Sequence, residues 1–111
     1  MEPNHPWVIM WEFRVRPGSE ARFEEAYGPA GEWAEFFRRG EGYLGTELYQ
    51  DTKAAGRYLT LDFWVSEAAY QYFRRLHAAD YEALDARSEA LTEHETPLGS
   101  FLCYGGPALQ A

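Results

Sequence analysis

Asp62 is the residue whose type and position most need a chemical explanation. It stands in the middle of Arg57-Tyr-Leu-Thr-Leu-Asp-Phe-Trp-Val65, a run with strand-like alternation in which Asp is disfavoured by propensity. A carboxylate buried there must find partners or neutralise. It can serve as a base with a raised pKa, or it can pair with Arg14 or Arg16 across the sheet or at a subunit contact. Strand alternation puts Tyr58, Thr60, Asp62 and Trp64 on one face, and Leu59, Leu61, Phe63 and Val65 on the other. The first face mixes aromatic bodies with a hydroxyl and a carboxylate, a pattern suited to a pocket wall or a wet interface. Ser66 then occupies a helix N-cap position. The helix it starts carries Tyr70, His77 and Tyr81 on its inner stripe. An inward imidazole of near-neutral pKa can accept a proton, and it can equally be a hydrogen-bonded core residue.

Other apparent motifs carry less chemistry. Gly40-Glu-Gly42-Tyr-Leu-Gly45 matches G-x-G-x-x-G, but these glycines end a helix and enter a strand. The phosphate-binding version has the reverse order, so turn and close-packing roles are expected here. His77, Asp80 and Glu82 have no suitably spaced second histidine, and Glu93-His94-Glu95 lies near the start of the last strand, so no metal site is expected. Cys103 has no activating neighbours in sequence and reads as an inert thiol. No G-x-S-x-G nucleophile elbow is present.

These residues must be positioned by one domain spanning residues 1–111, with a core at about 7–104 and short tails. A strand over residues 7–15 ends at Pro17-Gly18. Ser19 caps a helix to about Tyr27, which Gly28-Pro29 breaks. A second piece over residues 31–39 carries Trp33, Phe36 and Phe37 inward. Strands follow over residues 43–50 and 57–65, then one long helix, then a last strand over residues 99–104. The order β, α, β, β, α, β predicts an α+β, ferredoxin-like βαββαβ fold, with a four-stranded antiparallel sheet and its helices on one face. Val8-Ile9-Met10-Trp11 and much of the third strand are apolar on both sides, so the open face needs a cover. A second copy of the chain, packed sheet on sheet, supplies it.

The chain is 46% hydrophobic and 17% aromatic, with seven Phe, eight Tyr and four Trp. That is more aromatic surface than a small core absorbs, so some of it is expected to line a cavity or meet a partner. A net charge of −8 opposes nucleic acid and anionic membranes as partners. Arg38-Arg39 complements a helix C-terminus instead. One cysteine, no signal-peptide pattern and no apolar run of membrane-spanning length together predict a cytoplasmic protein.

Three segments, Trp11-Glu-Phe-Arg-Val-Arg-Pro-Gly18, Gly42-Tyr-Leu-Gly-Thr-Glu-Leu48 and Tyr58-Leu-Thr-Leu-Asp-Phe-Trp-Val-Ser-Glu-Ala-Ala-Tyr70, resemble the antibiotic biosynthesis monooxygenase domain. That family belongs to the dimeric α+β barrel superfamily, and the resemblance runs from Val8 to about Phe101. It implies a homodimer that binds a small aromatic phenol and dioxygen and oxygenates the phenol without flavin, haem or metal. Characterised quinone-forming members use an Asn on the third strand, a Trp four residues on, and a Tyr six residues after that. Those positions fall on Thr60, Trp64 and Tyr70, so a hydroxyl replaces the amide's donor–acceptor pair. The Asn and axial His of the haem-degrading branch have no clear counterpart. The resemblance implies that Trp64 stacks on the ring system, that Tyr70 and Thr60 bond its oxygens, and that His77 or Asp62 takes the proton, with Trp33 and Tyr81 as further substrate-binding candidates. A second reading stands beside it: a non-catalytic dimeric ligand-binding or structural module whose aromatics are core and interface.

Overall fold

The computed structural model describes residues 5–105. Its elements in chain order are β1 (Trp7–Val15), α1 (Glu20–Tyr27), α2 (Glu32–Phe37), β2 (Tyr43–Gln50), β3 (Arg57–Trp64), α3 (Glu67–Leu76), α4 (Ala78–Ser88), a 3-10 turn (Glu89–Leu91) and β4 (Thr92–Leu102). The four strands form one antiparallel sheet in the order β2-β3-β1-β4. This is the α+β, ferredoxin-like plan, with each helical crossover in two pieces. Among the described residues, no helix is long and apolar enough to cross a membrane.

The register of the two central strands decides which side chains meet the helices. Trp7, Ile9, Trp11 and Phe13 of β1 lie opposite Trp64, Asp62, Thr60 and Tyr58 of β3, and this mixed face turns inward. Trp64, Tyr58, Phe23 and Phe73 are the largest fully buried side chains. The Trp64 ring meets Tyr43, Phe73, Tyr70 and Phe37 at centroid distances of 5.3, 5.3, 5.5 and 5.7 Å, and Phe23 stacks on Tyr27 at 4.3 Å. Such aromatic contacts add to what burial alone contributes. Val8, Met10 and Glu12 lie opposite Phe63, Leu61 and Leu59, so the more uniformly apolar side of β3 forms the open face.

Three local expectations change. Ser66 caps α3 as expected, its hydroxyl accepting from the Ala69 amide at 3.1 Å. Ser19 makes no side-chain cap; the nearby backbone is held by Glu20, which accepts from the Gly18 amide at 2.9 Å. The long helix is interrupted at His77, where φ is −115° and ψ is 32°. The last strand begins at Thr92 rather than residue 99 and spans 11 residues. Its first half is polar and contains Pro97, both tolerated because β4 is an edge strand exposed along nearly its whole length.

Gly40 shows how tightly the core closes. A Cβ there would stand 2.6 Å from Phe73 Cδ1 and 3.0 Å from Trp64 Cζ3, and neither buried ring has room to retreat. Gly40→Ala should therefore destabilise the fold by about 1–3 kcal/mol, read as a lower urea midpoint. An unchanged midpoint would show that the core is looser than its packing implies.

Candidate active site

Between the inward face of the sheet and the helices lies a half-enclosed cavity of about 340 Å³. Ile9, Trp11 and Phe13 of β1 and Thr60 and Asp62 of β3 line its sheet side, with Glu95 of β4 at an edge. The helices contribute Tyr27, Trp33, Phe37, Tyr70, Arg74, Tyr81 and Asp85. The size suits a small aromatic molecule.

Asp62 is the most deeply buried charge-bearing group in this lining, at 9% exposure. Thr46, its direct partner on β2, donates to Oδ1 at 2.6 Å. Burial pushes the carboxyl up from 3.8 to about 6, with the Thr46 hydrogen bond opposing that rise. Such a group is ionised at neutral pH and still basic enough to accept a proton. Within the chain, the alternative pairing with Arg14 or Arg16 across the sheet does not form. Arg14 lies opposite Arg57, on the other parity of the strand pair, and Arg16 lies beyond the end of β1.

Across the cavity, Arg74 Nη1 donates to the Tyr70 hydroxyl at 2.9 Å. Its guanidinium also sits 3.7 Å from the Tyr81 ring centroid, a cation–π contact. The Tyr70 hydroxyl thus accepts from Arg74, and the neighbouring Tyr81 hydroxyl interacts with it as well. Burial pushes Tyr27 up to about 12 and raises Tyr81 still further, so both phenols stay neutral donors at physiological pH. Glu95 is raised, first by partial burial and then by Asp85 and Glu89.

Thr60, Asp62, Trp33, Tyr70 and Tyr81 come together on the cavity as the sequence predicts. Two of the predicted residues do not. Trp64 is fully buried behind the wall among Tyr43, Phe37, Tyr70 and Phe73, so it supports Tyr70 rather than presenting a face to a ligand. Its Nε1 is buried and has no hydrogen-bond partner among the described residues. His77 sits at the α3–α4 break, packed against Phe73 and Phe36 with centroid distances of 4.8 and 6.0 Å, outside the cavity lining. The sequence reading missed Arg74, Tyr27, Asp85 and Glu95. Arg74 follows Tyr70 by four residues and Asp85 follows Tyr81 by four, the spacing that shares a helix face. Glu95 could be found only through the register of β4. Among the described residues, no three His, Cys, Asp or Glu side chains converge as a metal site would require.

The model of the family described as antibiotic biosynthesis monooxygenase matches residues 6–87. The chain belongs to this family. No curated protein sequence matches it. Among solved structures, SnoaB, a cofactor-independent oxygenase from Streptomyces nogalater, is similar with a TM-score of 0.71 and 19% identity, over 92% of this chain and 96% of that one. A conserved protein from Methanosarcina mazei gives a TM-score of 0.68 at 16% identity, covering 91% of this chain and 95% of that one. PA3566 from Pseudomonas aeruginosa gives 0.64 at 16%, covering 95% and 100%. At these identities the likenesses establish the family's shared fold.

Asp62 leaves a thermodynamic signature that needs no substrate. Its folded pKa of about 6 lies above the ordinary 3.8, so folding favours the protonated form. That stabilisation is fully present below about pH 4 and is lost as pH rises through about 6, a change of at most about 3 kcal/mol. Asp62→Asn should therefore be more stable than the natural protein at about pH 8, with the advantage gone near pH 4. Urea unfolding at the two pH values checks this, and equal stability at the higher pH would mean that Asp62 is well solvated.

Proposed function

We propose that this family member is a cofactor-independent monooxygenase that oxidises a polycyclic phenol inside the cavity, with Asp62 as the base. One observation carries the reading: a buried carboxylate of raised pKa lines an aromatic cavity of matching size, together with a tyrosine whose hydroxyl is held by an arginine. An electron-rich phenol bound there stacks against Trp33, Trp11 and Tyr81. Asp62 removes a proton, and Tyr70 and Thr60 hydrogen-bond the substrate oxygens on which negative charge then collects. The resulting anion passes an electron to dioxygen, and the radical pair combines to a peroxide. Loss of water from the peroxide gives the quinone. Dioxygen is the oxidant: one of its atoms enters the product and the other leaves as water, so the substrate supplies the electrons. The protein binds, desolvates and stabilises the anion.

Oxygen uptake by the purified protein with a naphthol or an anthrone tests the reading. Turnover should rise with pH through about 6, following ionisation of Asp62. Asp62→Asn and Tyr70→Phe should each lower kcat by about 10²-fold or more while remaining folded. Saturable binding of these phenols without oxygen uptake would instead favour a ligand-binding module on the same fold, the reading that Thr60 in place of the amide supports.

The same proposal includes a homodimer. By register, Met10, Leu59, Leu61 and Phe101 lie on the open face, where the first three are half-buried and Phe101 is 46% exposed. A second sheet packed there removes this apolar surface from water. Sedimentation should give twice the mass of one chain, and Leu61→Glu should shift it toward the single chain. A protein that sediments as one chain at micromolar concentration would remove the dimer.

A further inference from the structure

The glycine motif that fails as a phosphate loop has another use. Its last member, Gly45, has φ +149°, a conformation that side-chain-bearing residues rarely adopt. The β2–β3 register shifts at this point: Tyr43 lies opposite Trp64 and Gly45 opposite Phe63, leaving Leu44 as an extra residue. This is a β-bulge, a device that re-aims side chains. In a regular strand Tyr43 and Thr46, three apart, would face opposite sides of the sheet. The bulge resets the parity, so both face the helices. The Tyr43 hydroxyl then comes 2.6 Å from Thr46 Oγ1, which in turn lies 2.6 Å from Asp62 Oδ1.

The order of donors follows from counting hydrogens. Thr46 has one, and it goes to the Asp62 carboxylate, so Tyr43 must donate to Thr46. A proton arriving on Oδ1 lets every bond in the chain reverse without any heavy atom moving. Oδ2 receives no hydrogen bond from the described residues and belongs to a side chain that lines the cavity.

We infer that Thr46 and Tyr43 are positioning residues for Asp62: the bulge builds a hydroxyl chain that holds Oδ1 and leaves Oδ2 for the substrate proton. The inference deepens the proposal that Asp62 is the base and rests on it for its catalytic meaning, though the chain itself can be read without turnover. The other titratable groups facing this cavity are Tyr27 on α1, Tyr70 and Arg74 on α3, Tyr81 and Asp85 on α4 and Glu95 on β4. On α2 the lining residues are Trp33 and Phe37, which do not titrate. Thr46 is thus the hydrogen-bond donor to Asp62 among the described residues.

The test is Thr46→Val, which keeps the branched shape and removes the hydroxyl, beside Thr46→Ser, which restores it. Asp62 is titrated by carboxyl carbon-13 NMR, with Asp62→Asn identifying its signal, and the pH–rate profile is measured on a phenol. Thr46→Val should raise the Asp62 midpoint by about one pH unit, a tenfold change in its ionisation constant. Thr46→Ser should return it to the natural value, and Tyr43→Phe should raise it by less. If Thr46→Val titrates like the natural protein, the positioning role is overturned. If the NMR midpoint moves as expected but no form of the protein consumes oxygen, the hydroxyl chain stands and the oxygenase reading falls.

Discussion

The parity of β3 governs most of this molecule. Side chains on a strand alternate, so one choice of inward face commits the whole strand. Here the inward face carries Tyr58 and Trp64, both almost wholly buried, and Thr60 and Asp62 must follow them. Burying a ring of about 150–250 Å² contributes roughly 4–6 kcal/mol. Two such rings outweigh the roughly 3 kcal/mol by which burial disfavours the ionised Asp62. The aromatics therefore hold a carboxylate where solvation alone would not place it, and the remaining structure accommodates it. Thr46 meets one of its oxygens, and the helices leave open space beside it.

That space exists because the helical layer is made of short pieces. Trp33 of α2 donates its Nε1–H to the Ser88 hydroxyl of α4 at 3.2 Å, and Ser88 donates onward to the Leu84 carbonyl at 2.9 Å. Trp64 and Phe73 close the other side, beneath α3. Between these two anchored regions the cavity is roofed by Tyr70, Arg74 and Tyr81, with Arg74 hydrogen-bonded to the Tyr70 hydroxyl and placed over both rings. The roof sets hydroxyls and a guanidinium among aromatic rings along the cavity wall.

Much of this was legible in the residues. The alternation over residues 57–64, the Ser66 cap and the strand–helix order all carried local signals that tertiary packing then respected. The break at His77 carried none, since neither Gly nor Pro marks it. The first half of β4 was hidden because an edge strand with both faces near solvent needs no apolar period and tolerates Pro97. At the site, Thr60, Asp62, Trp33, Tyr70 and Tyr81 were legible from parity and helical spacing. Trp64 shows the limit of such reasoning. Spacing placed it on the correct face, but whether it touches the cavity or stands behind the wall depends on where Phe37, Tyr43 and Phe73 close around it. The Arg14 pairing across the sheet failed for a related reason: charge complementarity suggested it, and strand parity forbade it.

The alternation in β3 also bears on how the chain can change over time. Helix-facing and open-face residues are interleaved one by one along the same eight positions, with Thr60 and Asp62 of the first set on the cavity. A point substitution reaches only one side, so the cavity lining and the character of the open face can drift independently. An insertion or deletion exchanges the two sides at once, sending Asp62 outward and a leucine or phenylalanine into the cavity. An insertion in this strand keeps its two faces only if it bulges, as the neighbouring β2 already does at Leu44.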